Sequence, residues 1–508
     1  MDAWRWRVLP LVSVLLAVLF LYVRRPDKPS SHDRYLIRSK RIITPEGVIA
    51  GSVEVKGGII ISVAEGGDQF SDYSQGYILD YGDAVVMPGL VDIHVHLNDP
   101  GRTEWEDFTT GTKAAAAGGI TTLIDMPLNC FPTVVSEETF RLKLEAARNR
   151  LHVDVELDPV NLVIYRFLGG LVPENAFNRS ALESLLDAGV LGLKSFMCPS
   201  GIDDFPMTNA THIKEGLHVL AKYKRPLLVH SEIALDSEGI QIKRPLQILD
   251  LTQLILRLGH LHGKEEAAIS ELYKVAQDTR VGGRAEGAHL HIVHLSDAWK
   301  SLGIIKEAKE SGASLSVETC PHYLAFSAEQ IKDGDTRFKC APPIRDEVNR
   351  NKLRQALMDG HIDLLSSDHS PSAPELKLFD QGDFLRAWGG ISSLQFDLPV
   401  TWSYGKSFGV TLNQLATWWS ERPAKLAGQE LKGAISGGKH ADIVVWDPDE
   451  EFELNENYTT YLKHPNISAY MGTRLSGKVM ATFVRGNLVY SDGKLAPAAC
   501  GVPILAKQ

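Results

Sequence analysis

Short apolar runs bounded by turn residues recur along the middle of the chain, and stretches with helical spacing, such as residues 136–150, separate most of them. Runs of this kind are typical of buried β-strands, and apolar positions three to four residues apart are typical of amphipathic helices. Eight strands alternating with helices predict an α/β fold of the (β/α)8 or TIM-barrel type, whose active site lies at the carboxyl ends of the strands. The predicted strands cover residues 90–96, 120–126, 160–167, 190–197, 225–232, 289–296, 314–320 and 362–370.

The two ends of the chain show a different pattern, with short strands separated by glycine turns at residues 34–87 and 440–490. The 508 residues also exceed the ~250 of a typical barrel, so a second domain must use the excess. We therefore predict a small β-sandwich domain formed by both chain ends, residues 32–87 and 433–508. The TIM barrel, residues 88–432, is inserted between them.

An apolar stretch at residues 8–23 has arginines on both sides and is shorter than the ~20 residues of a membrane span. No clear cleavage site follows it, so residues 1–31 are either a signal peptide or an uncleaved signal anchor. Both alternatives predict entry into the secretory route. The anchor alternative also predicts membrane association through residues 8–23.

Charge and cysteine content exclude two function classes. The formal net charge is −10, and no run of lysine or arginine occurs outside the N-terminus, which argues against nucleic acid binding. The five cysteines are odd in number and lack metal-finger spacing, so they predict no disulfide framework.

Residues that can bind metal stand at the ends of the predicted strands. His94 and His96 are two apart on the first strand, and alternate side chains of a strand share a face. Similar residue types stand at or near the ends of the fourth, fifth, sixth and eighth strands, namely Lys194, His230, His294 and Asp368. A TIM barrel would direct all of them to one mouth.

Four neutral imidazoles and one carboxylate suit zinc, manganese, cobalt or iron. The ammonium group of Lys194 cannot bind a cation, but a buried lysine with a lowered pKa is partly a neutral amine that can capture carbon dioxide as a carbamate. The carbamate has two oxygens and could bridge two metals, which lie about 3.5–4 Å apart in two-metal sites.

Seven ordered motifs resemble those of the cyclic amidohydrolases, and together they are similar to the plant-type allantoinases. The similarity runs from about residue 34 to the C-terminus. The motifs are HVHLNDPGR (94–102), GLKSFMCPSG (192–201), LLVHSE (227–232), IVHLSDA (292–298), VETCPHYL (317–324), CAPPIR (340–345) and SSDHSP (366–371).

The resemblance implies a binuclear site for two divalent metal ions, with zinc as the first choice and manganese, cobalt or iron as alternatives. Asp368 would also carry the proton during catalysis, and Lys194 would carry the carbamate. One ion would be held by His94, His96, Lys194 and Asp368, and the other by Lys194, His230 and His294.

Two positions separate this chain from the nearest relatives. Dihydroorotases carry an arginine where this chain has Asn98, and dihydropyrimidinases and hydantoinases carry a tyrosine where it has Pro199. Both absences suit allantoin, because hydrogen bonds from amides and backbone groups can hold an uncharged ring. By family resemblance, Asn98, the backbone of Ser370 and the Gly389–Gly390 loop would contact the substrate.

The resemblance implies hydrolysis of (S)-allantoin to allantoate in purine and ureide catabolism. It also implies an endoplasmic reticulum enzyme, luminal or membrane-anchored, that assembles as a homotetramer. A dihydropyrimidinase or hydantoinase specificity is the alternative within enzymes. A non-catalytic dihydropyrimidinase-related scaffold is the alternative outside them, although all six ligand positions are filled.

Other residues and stretches carry weaker expectations. Cys198 and Cys320 lie in the motifs and favour packing roles, and His369 is either structural or holds the outer oxygen of Asp368. Residues 156–164 and 233–264 depart from the family pattern. We therefore expect any difference from the family in the path for substrate rather than in metal binding.

Overall fold

The structure, a computed structural model, describes residues 34–66, 77–153, 167–233 and 262–496. Three parts of the sequence prediction lie outside the described residues. They are the N-terminal segment 1–31, all but the last residue of the predicted strand 160–167, and most of the stretch 233–264. Among the helices in the four described ranges, none has the length and apolar composition needed to cross a membrane.

The strands fall into two groups, one near the chain ends and one in the middle. In chain order they are β1 (Arg34–Thr44), β2 (Gly47–Lys56), β3 (Ile59–Glu65), β4 (Tyr77–Asp80), β5 (Val85–Pro88), β6 (Leu90–Val95), β7 (Ile120–Asp125), β8 (Gly169–Gly170), β9 (Leu193–Phe196), β10 (Pro226–His230), β11 (His289–Ile292), β12 (Leu315–Thr319), β13 (Leu364–Leu365), β14 (Ile443–Glu453), β15 (Arg474–Val484), β16 (Asn487–Ser491) and β17 (Lys494–Leu495).

Strands from both chain ends form one nine-stranded sheet in the order β17-β16-β15-β14-β5-β1-β2-β3, with β4 paired to β1. The rings of Tyr35 on β1 and Phe483 on β15 lie 6.1 Å apart between centroids, although β5 and β14 separate these strands in the order. A flat sheet would place the two strands about 14 Å apart. The sheet therefore folds over on itself around an apolar interior, as the sandwich prediction requires.

The middle strands form the predicted TIM barrel. Strands β6 and β7 pair in parallel, and β8 to β13 form a parallel six-stranded sheet in sequence order. The Leu168 N–H donates to Asp125 O at 3.2 Å, which links β7 to the chain just before β8. The His96 N–H donates to His369 O at 2.8 Å, which joins β6 to the chain after β13. These contacts close the ring of eight strands. The limits of the two domains along the chain stay predictions.

The third barrel strand in the described residues is β8, which lies just after the apolar run that predicted a strand at 160–167. The run at residues 160–167 ends just before β8, whose two residues are both glycines. A Cβ on Gly169 would lie 2.6 Å from the side chain of Leu185, and one on Gly170 would lie 2.5 Å from that of Phe205. Only glycine permits this close packing. A criterion based on apolar runs cannot detect such a strand.

Helices connect the barrel strands, and the helix predicted at 136–150 begins after Ser136, whose Oγ accepts from the Thr139 N–H at 3.2 Å. The α-helices are Phe108–Ala117, Glu137–Ala147, Pro173–Ala176, Arg179–Asp187, Ala210–Tyr223, His262–Ala276, Lys300–Glu310, Pro321–Ala325, Glu347–Met358, Asp397–Gly405, Leu412–Ala416 and Arg422–Leu426. Short 3-10 turns cover Gln277–Thr279, Ala328–Gln330, Thr336–Phe338, Pro374–Lys377, Lys406–Phe408 and Pro465–Ile467, and Thr417–Glu421 is a π-helical turn.

Candidate metal centre

The six predicted metal-binding residues lie at the carboxyl ends of the barrel strands, and all are buried. His94 is on β6 with His96 immediately after it, Lys194 is on β9, and His230 ends β10. His294 and Asp368 follow β11 and β13, in left-handed backbone conformations with φ of 38° and 43°. Such conformations are costly for residues other than glycine and cluster at functional sites.

The side chains converge on one small volume. Nε2 of His94 and Nε2 of His96 lie 3.4 and 3.7 Å from Oδ1 of Asp368, and ligand atoms of these three residues lie within 4.8 Å of one another. The His294 ring centroid is 5.3 Å from that of His94 and 4.5 Å from that of His230. His294 therefore connects the His94 side of the centre with the His230 side.

Glu318, at the end of β12, is buried against this cluster and fixes the orientation of His94. Its Oε1 is 2.6 Å from Nδ1 of His94 and accepts from the His294 N–H at 3.2 Å, while its Oε2 is 3.0 Å from Nε2 of His291. Burial by itself raises the pKa of Glu318, but His94 and His291 lower that pKa below its ordinary value. The carboxylate therefore accepts from Nδ1–H of His94 and leaves the Nε2 lone pair facing Asp368.

Burial favours the neutral form of three of these imidazoles, which is the form that binds metal. Burial lowers the pKa of His94 to about 4, and burial also lowers the pKa values of His96 and His294 well below the ordinary value. Desolvation disfavours the charged imidazolium, so each ring offers a lone pair. Nδ1 of His96 is in contact with Asn129 at 3.2 Å, which leaves its Nε2 on the Asp368 side.

His230 has its own carboxylate partner on the other side of the centre. Its Nε2 is 3.0 Å from Oε2 of Glu232, and its ring stacks on Phe196 with centroids 4.3 Å apart. The Cys198 thiol lies close by, since ligand atoms of Cys198, His230 and Glu232 lie within 4.8 Å of one another. The bond to Glu232 directs Nδ1 of His230 away from the carboxylate.

Lys194 has the environment that carbamate formation requires. Its Nζ is buried, has no hydrogen-bond partner among the described residues, and lies 5.2 Å from the Phe196 ring centroid. Burial lowers the pKa of Lys194 to about 8, so part of the lysine is a neutral amine near neutral pH. Burial also raises the pKa of Asp368 to about 7, and cations beside this carboxylate would favour its ionised form. The donor set therefore fits divalent metal ions.

The predicted substrate-contacting residues lie in the loops around this cluster. Asn98 is buried with φ of 62°, and its Oδ1 has no partner among the described residues. The Ser370 N–H donates to Ile391 O at 3.0 Å, and the Gly390 N–H donates to Lys339 O at 2.8 Å. Both N–H groups already have partners within the protein. Any substrate contact from these two residues would use other atoms.

Sequence reasoning missed the two carboxylates that orient the histidines. Glu318 and Glu232 stand at the ends of β12 and β10 within the quoted motifs, and this position was the available signal. His369 does not hold Asp368, because its Nδ1 accepts from the N–H groups of Ser393 and Leu394 at 3.0 and 3.2 Å and its Nε2 lies 3.6 Å from Oε2 of Glu106. His369 is therefore structural. It fastens the chain after β13 to the next loop.

Comparison with known proteins identifies relatives along the whole chain. Residues 30–84 match the family model described as allantoinase, composite domain, and residues 85–489 match that of the amidohydrolase family. A protein named allantoinase from Arabidopsis thaliana is 62% identical over 98% of this chain and 97% of its own length. One named probable allantoinase from Oryza sativa is 60% identical over 100% of both. Among solved structures, an L-hydantoinase (dihydropyrimidinase) from Arthrobacter aurescens has a TM-score of 0.77 and 26% identity, covering 92% of this chain and 99% of that one.

Proposed function

Because this chain belongs to the amidohydrolase family and, within it, to the allantoinases, we propose that it hydrolyses the ring amide of allantoin to give allantoate. The observation that carries the proposal is the convergence of four buried imidazoles, a buried lysine and a buried carboxylate at one barrel mouth. This is the place where TIM-barrel enzymes carry out their chemistry.

Membership of the amidohydrolase family implies a binuclear divalent metal site. We propose that His94, His96 and Asp368 would hold one ion, that His230 and His294 would hold the other, and that Lys194, as a carbamate, would be a ligand of both. Zinc is the first choice, with manganese, cobalt and iron as alternatives. When bound, two such ions lower the pKa of water to about 7 and polarise a carbonyl oxygen.

The side chains of the site have separate roles in proton transfer and in orienting the histidines. Asp368 takes a proton from the attacking water and returns it to the departing ring nitrogen, acting as general base and then as general acid. Glu318 and Glu232 keep their histidines in the tautomer that directs a lone pair inward. Burial of the whole cluster excludes competing water and strengthens these electrostatic interactions.

Specificity for allantoin over dihydroorotate and dihydrouracil follows from the side chains that this chain lacks. Asn98 offers an amide where a dihydroorotase offers a charged arginine, and Pro199 has no hydroxyl to donate. The buried Oδ1 of Asn98 can accept from an N–H of the substrate ring or its ureido arm. The site therefore suits an uncharged ring that is rich in N–H donors.

The test is an assay of purified protein with allantoin, dihydrouracil and dihydroorotate, together with metal analysis. We expect turnover of allantoin, weak turnover of dihydrouracil at most, and background rates with dihydroorotate. Dihydrouracil as the better substrate would replace the proposal with a hydantoinase-type specificity. No turnover of any cyclic amide by protein carrying two metals would favour a non-catalytic scaffold.

We further propose that the enzyme resides in the endoplasmic reticulum, and that it is a homotetramer, as the family resemblance implies. The support for the location is the apolar stretch at residues 8–23. Cell fractionation should place full-length protein in a membrane or luminal fraction. Deleting residues 1–31 should release soluble, active protein, because β1 begins only at Arg34. Light scattering of that variant measures the mass of the assembly, and a monomer would contradict the tetramer.

A further inference from the structure

Lys377 is a buried lysine outside the metal centre, and two backbone carbonyls accept its hydrogen bonds. It ends the 3-10 turn Pro374–Lys377, and its side chain is almost wholly buried. Its Nζ donates to Gly390 O at 2.6 Å and to Trp388 O at 3.1 Å. No carboxylate among the described residues lies within ion-pair distance of Lys377. Burial lowers the pKa of Lys377 to about 8, which means that a charged group here costs stability.

The segment that Lys377 holds borders the metal centre. The Gly390 N–H donates to Lys339 O at 2.8 Å, and the Ser370 N–H donates to Ile391 O at 3.0 Å. A Cβ on Gly390 would lie 2.0 Å from Ser370 O, so the two chains pack as closely as glycine allows. Ser370 is two residues after Asp368. Segment 388–391 is therefore fastened to the wall of the site.

The two hydrogen bonds set the direction of a peptide group. In a trans peptide, the carbonyl and the N–H point in opposite directions. Because the Trp388 carbonyl points at Lys377, the N–H of Gly389 points away from it. No described residue accepts from this N–H. The Gly389 amide is thus an oriented donor without an acceptor among the described residues, in a segment that packs against Ser370.

We propose that Lys377 is a positioning residue that holds segment 388–391 so that the Gly389 N–H donates to a carbonyl oxygen of the substrate. The proposal rests on the proposed function for the identity of the substrate. Lys377 touches no predicted metal-binding residue, and its contribution is therefore to substrate binding. Charged donors hold carbonyls more firmly than neutral ones, which explains the use of a lysine here.

The test is Lys377→Met, which keeps the approximate shape of the side chain and removes its donors. Lys432→Met is the matched control, since Lys432 is equally buried and pairs with Asp442 at 2.6 Å, away from the site. For Lys377→Met we expect a KM for allantoin raised by about tenfold, with metal content and kcat largely retained. Lys432→Met should lower the melting temperature and leave KM unchanged.

Hydrogen exchange at segment 388–391 provides a readout that needs no activity. The amides of this segment should exchange faster in Lys377→Met than in the unmutated protein, and Lys432→Met should not change them. An unchanged KM and unchanged exchange, or a KM rise no larger than in the control, would overturn the proposal. If Lys377→Met does not fold, Lys377→Gln decides between the same two outcomes. An unmutated protein without allantoin turnover contradicts the proposed function, while the exchange result still tests the positioning role.

Discussion

The metal centre and segment 388–391 are held in place by charged side chains of opposite sign. Around the metal centre, the carboxylates of Glu318 and Glu232 accept from imidazole N–H groups, so that the lone pair of each ring lies on its other nitrogen. At segment 388–391, the Lys377 ammonium donates to two carbonyls, so that the Gly389 N–H faces away from Lys377. In both regions, the charge of the supporting residue selects whether an acceptor or a donor is presented to the ligand. Variants in the first region should therefore alter metal binding and turnover, and variants in the second should alter KM.

Lys194→Ala should produce the largest effect, because it removes the proposed bridge between the two ions. We expect loss of at least one metal and of measurable turnover, with partial recovery when short-chain carboxylic acids supply the missing oxygens. Metal analysis and allantoin assays with and without added acid measure both results. Lys143→Met, at another buried lysine that pairs with Asp125, should show no recovery with acid. Two bound metals and normal turnover in Lys194→Ala would rule out the bridge.

Asp368→Asn should come next, with turnover lowered by roughly 10²–10⁴, the usual contribution of a positioned acid–base group. The amide retains an oxygen that can bind metal, so most of the metal should remain. Asp368 acts first as a base, so activity should fall as the pH drops through the pKa of its carboxyl, and this acid limb should vanish in the variant. A pH–rate profile measures it. If the acid limb persists, another group carries the titration.

Glu318→Gln should produce a smaller effect, about 10-fold to 100-fold in metal affinity or activity, because the tautomer of His94 is no longer fixed by a charge. Titration of metal-depleted protein with zinc measures the affinity. The control is Asp397→Asn, at a buried carboxyl whose pKa burial raises well above its ordinary value. Burial favours the uncharged form of that carboxyl, so the amide should change little. Equal effects in the two variants would show that Glu318 serves packing alone.

The sequence was most informative about the barrel strands with apolar runs and about the side chains at their ends. Seven of the eight predicted strands overlap observed strands, because burial on both faces makes a strand continuously apolar. The eighth prediction, at residues 160–167, lies almost wholly outside the described residues, and it gives no sign of β8, whose two glycines pack closely against Leu185 and Phe205. The role of Glu318 could not be predicted from the sequence either. A glutamate in β12 becomes a partner for His94, 224 positions away in the chain, only when β6 joins the chain after β13 and closes the ring.

The sequence by itself determined the fold class, the family resemblance and the six side chains that gather at the barrel mouth. These properties follow from the period of apolar positions and from residue types at strand ends, which are local features of the chain. Only the tertiary structure decided which nitrogen of each histidine faces inward, which carboxylates hold it there, and how Lys377 directs the Gly389 amide. Those properties depend on the directions of hydrogen bonds between segments far apart in the chain. Such directions exist only once the barrel has closed and water has been excluded from its interior.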